Sequence, residues 1–168
     1  MKTFQLDENI SDKELAKSCN EQGLARAKLQ RQKDKGRKDT DWVPVVLARG
    51  DTLVTADRSV IEDCKGYVPE KHPGIVILEN DESILHTFRS RDAKKILAII
   101  KSVMPNWHND WCNSVVRLSQ QRVIVGHIEE GQFVSDGYLS LLDPDWRDQF
   151  ERIIQFNNSR SAKQLPGD

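Results

Sequence analysis

Cysteine is scarce and poorly placed for joint chemistry. Cys19, Cys64 and Cys112 are odd in number, widely spaced and without a CxxC pair. That argues against a zinc site or a disulfide framework, and it fits reduced thiols in the cytoplasm, the expected location. No apolar run approaches the length of a membrane span, and the N-terminus lacks the apolar segment of a signal peptide, so no membrane association is expected. An excess of one charge is missing too: 25 Lys and Arg oppose 26 Asp and Glu, a formal net charge of -1. Nucleic acid would therefore have to be held by a local basic patch. There is no glycine-rich phosphate loop, no GxSxG and no Cys/His pairing suited to nucleophilic catalysis. The histidines (His72, His86, His108 and His127) are scattered and read as surface or structural groups.

What is present suits one globular domain. The 168 residues are 38% hydrophobic and 30% charged, enough apolar material for a real core. Thr3 to Leu6 reads as a strand, followed by a helix over about 12–22 whose Ser11 and Glu14 form a capping box and whose Leu15 and Cys19 share a face. Gly23 ends that helix, and Ala25, Ala27 and Leu29 alternate as a second strand. Residues 31–38 hold nothing apolar and read as a loop. A helix is expected over 42–49, with Pro44 in its first turn. Thr52 to Thr55 is a strand, Ser59 to Cys64 a short helix, and Gly74 to Leu78 (GIVIL) a strand of the buried parallel kind. Ser90 caps a helix whose Ala93, Ile96, Leu97, Ile100 and Met104 share a face, ended by Pro105. After the WHNDW connector, 114–118 and 122–128 pattern as an antiparallel hairpin. A last helix is expected over about 144–156, with Asp143 as N-cap and Trp146, Phe150, Ile153 and Ile154 inward, and a frayed tail over 157–168. The fold expected is α/β: a mainly parallel sheet flanked by helices, with a C-terminal hairpin and helix. The domain proper would be 1–130, with 131–168 as an extension.

The acids fall at informative places. Asp7 and Glu8 follow the first strand, Asp39 and Asp41 precede the Trp42 helix, and Asp57 follows the third strand beside Arg58 and Ser59. In a parallel sheet such strand ends share one edge, the edge where ligands bind. Converging carboxylates are hard oxygen donors suited to Mg2+ or Mn2+, and such ions assist displacement at phosphorus. Each acid alone is more often a turn former or helix cap. Three junctions carrying acids together point to a metal-assisted phosphodiesterase.

The strings FQLDENIS and DTDWVPVVLARGDTLVTADRSV also resemble the PIN-like nuclease superfamily, in its VapC-type toxin branch and relatives. The matching motifs are the LDEN after the first strand, Asp39-Thr40-Asp41-Trp42-Val43-Pro44, and Thr55-Ala56-Asp57-Arg58. The resemblance covers roughly residues 3 to 130. It implies a Mg2+- or Mn2+-dependent endoribonuclease, with Asp7 as central metal ligand, Glu8 beside it, Asp39 or Asp41 as second acid and Asp57 as third. Asp7, Asp41 and Asp57 would be the catalytic acids. Glu79 and Asp81 stand where a fourth acid is sought, without a distinctive motif, which leaves one metal or two open. An antitoxin partner is implied by the toxin branch, and a homodimer is left open.

RNA would meet Arg31, Lys33, Lys35, Arg37 and Lys38, a basic stretch immediately before Asp39. The same run could be a solvated loop. Arg58 could touch phosphate or pair with Asp57 or Glu62. Two rival functions remain: a catalytically silent PIN-like binding module, and a small-molecule phosphatase. The phosphatase is disfavoured because Asp7-Glu8-Asn9 lacks a DxD pair after the first strand.

Overall fold

The computed structural model describes residues 3–7, 16–17, 20–21, 26–28, 38–57, 59–79, 111–119 and 121–163. Seven strands form one sheet: β1 (Thr3–Leu6), β2 (Arg26–Lys28), β3 (Thr52–Thr55), β4 (Ile75–Leu78), β5 (Val115–Leu118), β6 (Arg122–Glu129) and β7 (Gln132–Ser140). Their order is β2-β1-β3-β4-β5-β6-β7. The first five run parallel, and β6 and β7 are antiparallel to their neighbours, so the sheet is mixed. The expected hairpin is β5–β6, with Val115 opposite Gly126 and Leu118 opposite Val123.

Both faces of the sheet are covered, which is why β3 and β4 are buried at every position. Alternation divides their side chains. Leu53, Ile75, Ile77, Val115 and Ile128 meet Trp42, Val43, Val46 and Leu47 of α1 (Asp39–Ala48), and Val60 and Ile61 of α2 (Val60–Asp63). On the other face Phe4, Leu6, Val54, Val76, Leu78 and Val116 pack with Ala16 and with Trp146, Phe150 and Ile154 of α3 (Trp146–Lys163). Each Val, Leu, Ile or Phe among them contributes about 1.5–3 kcal/mol on burial.

From β1 the chain first moves to β2 on one side and then to β3 on the other. The first connection carries Ala16 into the α3-side core, and the second is α1 on the opposite face. Crossovers of one hand travelling in opposite directions must cover opposite faces. The reversal puts the topological switch point between β1 and β3, and in open α/β sheets ligands bind at the carboxyl ends of such strands.

Several expectations change. The helix expected over 42–49 begins three residues earlier, at Asp39, so Asp39 and Asp41 lie in its first turn and Pro44 lies inside it. Pro44 cannot donate to the Thr40 carbonyl, but four apolar side chains buried by α1 outweigh that lost bond. β7 was not expected at all. The tail expected to fray from 157 is helical to Lys163, and Asn157 is wholly buried. Asn157 Nδ2 donates to Ser114 Oγ at 3.1 Å, and the Asn113 amide donates to the Asn157 carbonyl at 3.3 Å. These bonds pin the middle of α3 to the amino end of β5. Residues 132–163 join the same sheet and core as the rest, and the division drawn at 130 falls in the β6–β7 turn.

Helix-forming Ala16–Lys17 and Asn20–Glu21 fit the expected first helix, whose Ser11–Glu14 cap lies outside the described residues. So do the Ser90 helix and the tail beyond 163. Asp143 accepts the Asp145 N–H at 3.0 Å and turns the chain into α3, which starts at Trp146. His72 and His127 are buried, hence structural and not surface groups. His127 Nδ1 lies 2.8 Å from Asp136, the extra residue where β7 bulges between Ser135 and Gly137. No helix among the described residues is long and apolar enough to cross a membrane.

Candidate functional site

Parallel register builds the site. Leu6 pairs with Val54, and the Asp7 N–H extends that ladder to the Val54 carbonyl at 2.9 Å. Asp7 thus stands beside Thr55, the last residue of β3. The Thr55 hydroxyl donates to Asp7 Oδ2 at 2.6 Å and accepts the Asp57 N–H at 3.0 Å. One hydroxyl therefore links the Asp7 carboxylate to the backbone of Asp57. Asp7 is buried, and a buried carboxylate needs such donors to offset its lost hydration. Thr55→Val keeps the shape but removes the donor, and it is expected to cost about 1–3 kcal/mol, measured by urea unfolding.

Asp57 is half-buried at the start of the turn into α2. Its Oδ1 accepts the Ser59 N–H at 2.9 Å and lies 2.7 Å from Ser59 Oγ. That hydroxyl is also 2.7 Å from Asp63 Oδ2, and its single proton serves one carboxylate at a time. Asp57 accordingly shapes the turn through its carboxylate, while its backbone N–H is held by Thr55.

The other predicted residues divide. α1 enters β3 through a short turn, where Arg49 meets the Asp51 carboxylate at 3.3 Å. A helix of that length, about 15 Å, runs back along the sheet and brings its first turn to the carboxyl edge. Asp41 sits in that turn and is exposed, and the exposed Lys38 is the N-cap residue, without a side-chain cap bond. The backbone of Asp39 is in the same turn. Glu8, Arg58, Arg31, Lys33, Lys35 and Arg37 lie outside the described residues, as does Asp81. Among the described residues, no group of three or more His, Cys, Asp or Glu side chains is placed to hold a metal ion. The structure joins Asp7 to Asp57 and does not bring Asp41 into a cluster with them.

Glu79, considered as a fourth acid, is committed elsewhere. It is almost fully buried just after β4, and Arg117 Nε of β5 contacts its Oε1 at 2.5 Å. The Arg117 guanidinium also lies 5.4 Å from the Phe133 ring centre. Sequence reasoning missed Thr55, Arg117 and Phe133. Thr55 was visible inside the third motif, but its role depends on the β1–β3 register. Arg117 and Phe133 meet only through the fold of β5, β6 and β7. No family model matches the chain, and no curated protein or solved structure matches it either.

Proposed function

We propose that this chain is a divalent-metal-dependent ribonuclease of PIN-like fold, centred on Asp7 and Asp57. The observation that carries the reading is Thr55, whose hydroxyl holds the Asp7 carboxylate and accepts the Asp57 backbone N–H at the carboxyl ends of β1 and β3, where the strand order reverses. Ligands of open α/β sheets bind at that kind of switch point. Two hard carboxylates there suit Mg2+ or Mn2+, which bind through one or two carboxylates and keep waters that phosphate oxygens replace. When bound, such an ion supplies positive charge to phosphate oxygens and increases the acidity of water. Asp7 and Asp57 would hold it, and Thr55 fixes how Asp7 presents its oxygens. Asp41, Glu8 and Asp39 would add negative charge near the ion on the motif resemblance. Lys38 and the basic stretch before it would draw the RNA backbone toward this acidic edge. A toxin role with an antitoxin partner rests on the motif resemblance.

Mn2+ titration of the full chain tests the reading. The melting temperature rises with Mn2+, equivalent to about 2.7 kcal/mol at a hundredfold excess over Kd. RNA is cleaved in Mn2+ and left intact in EDTA, and nitrophenyl phosphate is not hydrolysed. A second reading, the silent module, is favoured by the bonds from Ser59 to Asp57, which give that acid a structural task of its own. It requires that Mn2+ neither raise the melting temperature nor support RNA cleavage.

A further inference from the structure

A cavity of about 400 Å³ opens on the α1–α2 face of the sheet, away from the two acids yet connected to them through α2. Its floor is Ile61 and Ile77, and Arg117 and Phe133 stand in its wall. Lys65 and Gln132 also line it. The volume is within the range of small-molecule sites. Its lining mixes an apolar floor, an aromatic ring, a planar cation, an amide and one carboxylate, that of Glu62.

Three features make this a prepared surface. The guanidinium of Arg117 is held by the nearly buried Glu79, so it does not wander as a solvated arginine does. Phe133 packs against the apolar cluster of that face while still lining the cavity. Finally, Glu79 balances Arg117, so the wall is planar and polarisable without being a strong anion trap. Planar rings and guanidinium planes of this kind stack on nucleobases, and the amide of Gln132 offers both a donor and an acceptor to a base edge.

The position agrees with that ligand. Asp57 leads through Ser59 directly into α2, whose Ile61 is in the floor. Ile61 follows Asp57 by four residues, so the cavity floor and the acid belong to one short stretch of chain. We propose that the cavity receives a nucleobase of the RNA substrate, stacked at the Arg117–Phe133 wall, with the exposed Lys65 available to its phosphate. The proposal rests on the ribonuclease reading for the identity of the substrate.

Binding and cleavage are measured separately on the full chain. Binding of AMP, CMP, GMP and UMP is followed in EDTA, where the acidic site is inactive, and RNA cleavage is followed in Mn2+. Wild type is expected to bind at least one of the four. Phe133→Leu, which retains apolar volume but lacks the aromatic face, weakens that binding about tenfold and raises KM for RNA. Lys65→Glu, on an exposed residue outside the core, weakens both as well. Matched melting temperatures establish that the variants are folded, and Lys65→Glu reports on the cavity even where Phe133→Leu fails to fold. RNA cleavage by wild type with no nucleotide binding, or binding that neither variant alters, overturns the cavity assignment alone. Nucleotide binding without any RNA cleavage in Mn2+ overturns the substrate role and the ribonuclease reading together.

Discussion

Asp7→Asn lowers Mn2+-dependent RNA cleavage on the order of 10²- to 10³-fold, the scale of removing one group that stabilises transition-state charge. The fold survives, because asparagine retains an acceptor for the Thr55 hydroxyl at the position of Oδ2. In metal-free buffer the variant melts no lower than wild type, since the substitution removes a negative charge from a buried position. The stabilisation by Mn2+ disappears with the activity. Cleavage rates and melting curves, each with and without Mn2+, check all three outcomes. A variant that cleaves at the wild-type rate would remove Asp7 from the site.

Gly126→Ala is expected to destabilise the chain by about 3 kcal/mol, at the upper end of overpacking effects. A Cβ on this residue would press on the Val134 carbonyl oxygen and come within 2.5 Å of Phe133 Cε2. A backbone oxygen in a ladder cannot rotate aside, so β6 and β7 must separate. Gly137→Ala provides the contrast. Its Cβ would meet Ile153 Cδ1, the mobile end of a side chain that can turn away, and the cost is smaller. Urea unfolding of the two variants measures the difference. Because Gly126 abuts Phe133, its substitution also disturbs the cavity wall.

The central parallel strands were legible because each declares itself locally. Ile75–Leu78 and Thr52–Thr55 are short runs ended by turn signals, and such runs suit a sheet covered on both faces. β7 was not legible, since Asp136-Gly137 at its middle reads as a turn and only Leu139 of its residues is buried. Its conformation comes from pairing with β6, a contact that periodicity does not record. Asn157 misled for a related reason. A polar residue is buried here because Ser114 and Asn113 meet it, and hydropathy sees only its polarity. Pro44 was taken to mark a helix start, although the burial of Trp42, Val43, Val46 and Leu47 holds the turn before it. In the site, Asp7 and Asp57 could be chosen as strand-end acids. That they share Thr55 follows from which strands are neighbours.

The two margins of the sheet differ in the length of their outer strands. Among the described residues, β2 lies at one margin with three residues and β7 at the other with nine. A long outer strand is a template on which another copy could add its own, and repetition of that step gives fibrous growth. The bulge at Asp136 interrupts this template, and the carboxylate turned toward His127 keeps the irregularity in place. An arriving strand would find neither a continuous row of donors and acceptors nor a flat surface. The imidazole of His127 and the carboxylate of Asp136 thus meet where the outer strand departs from regular geometry, apart from the acids assigned to chemistry.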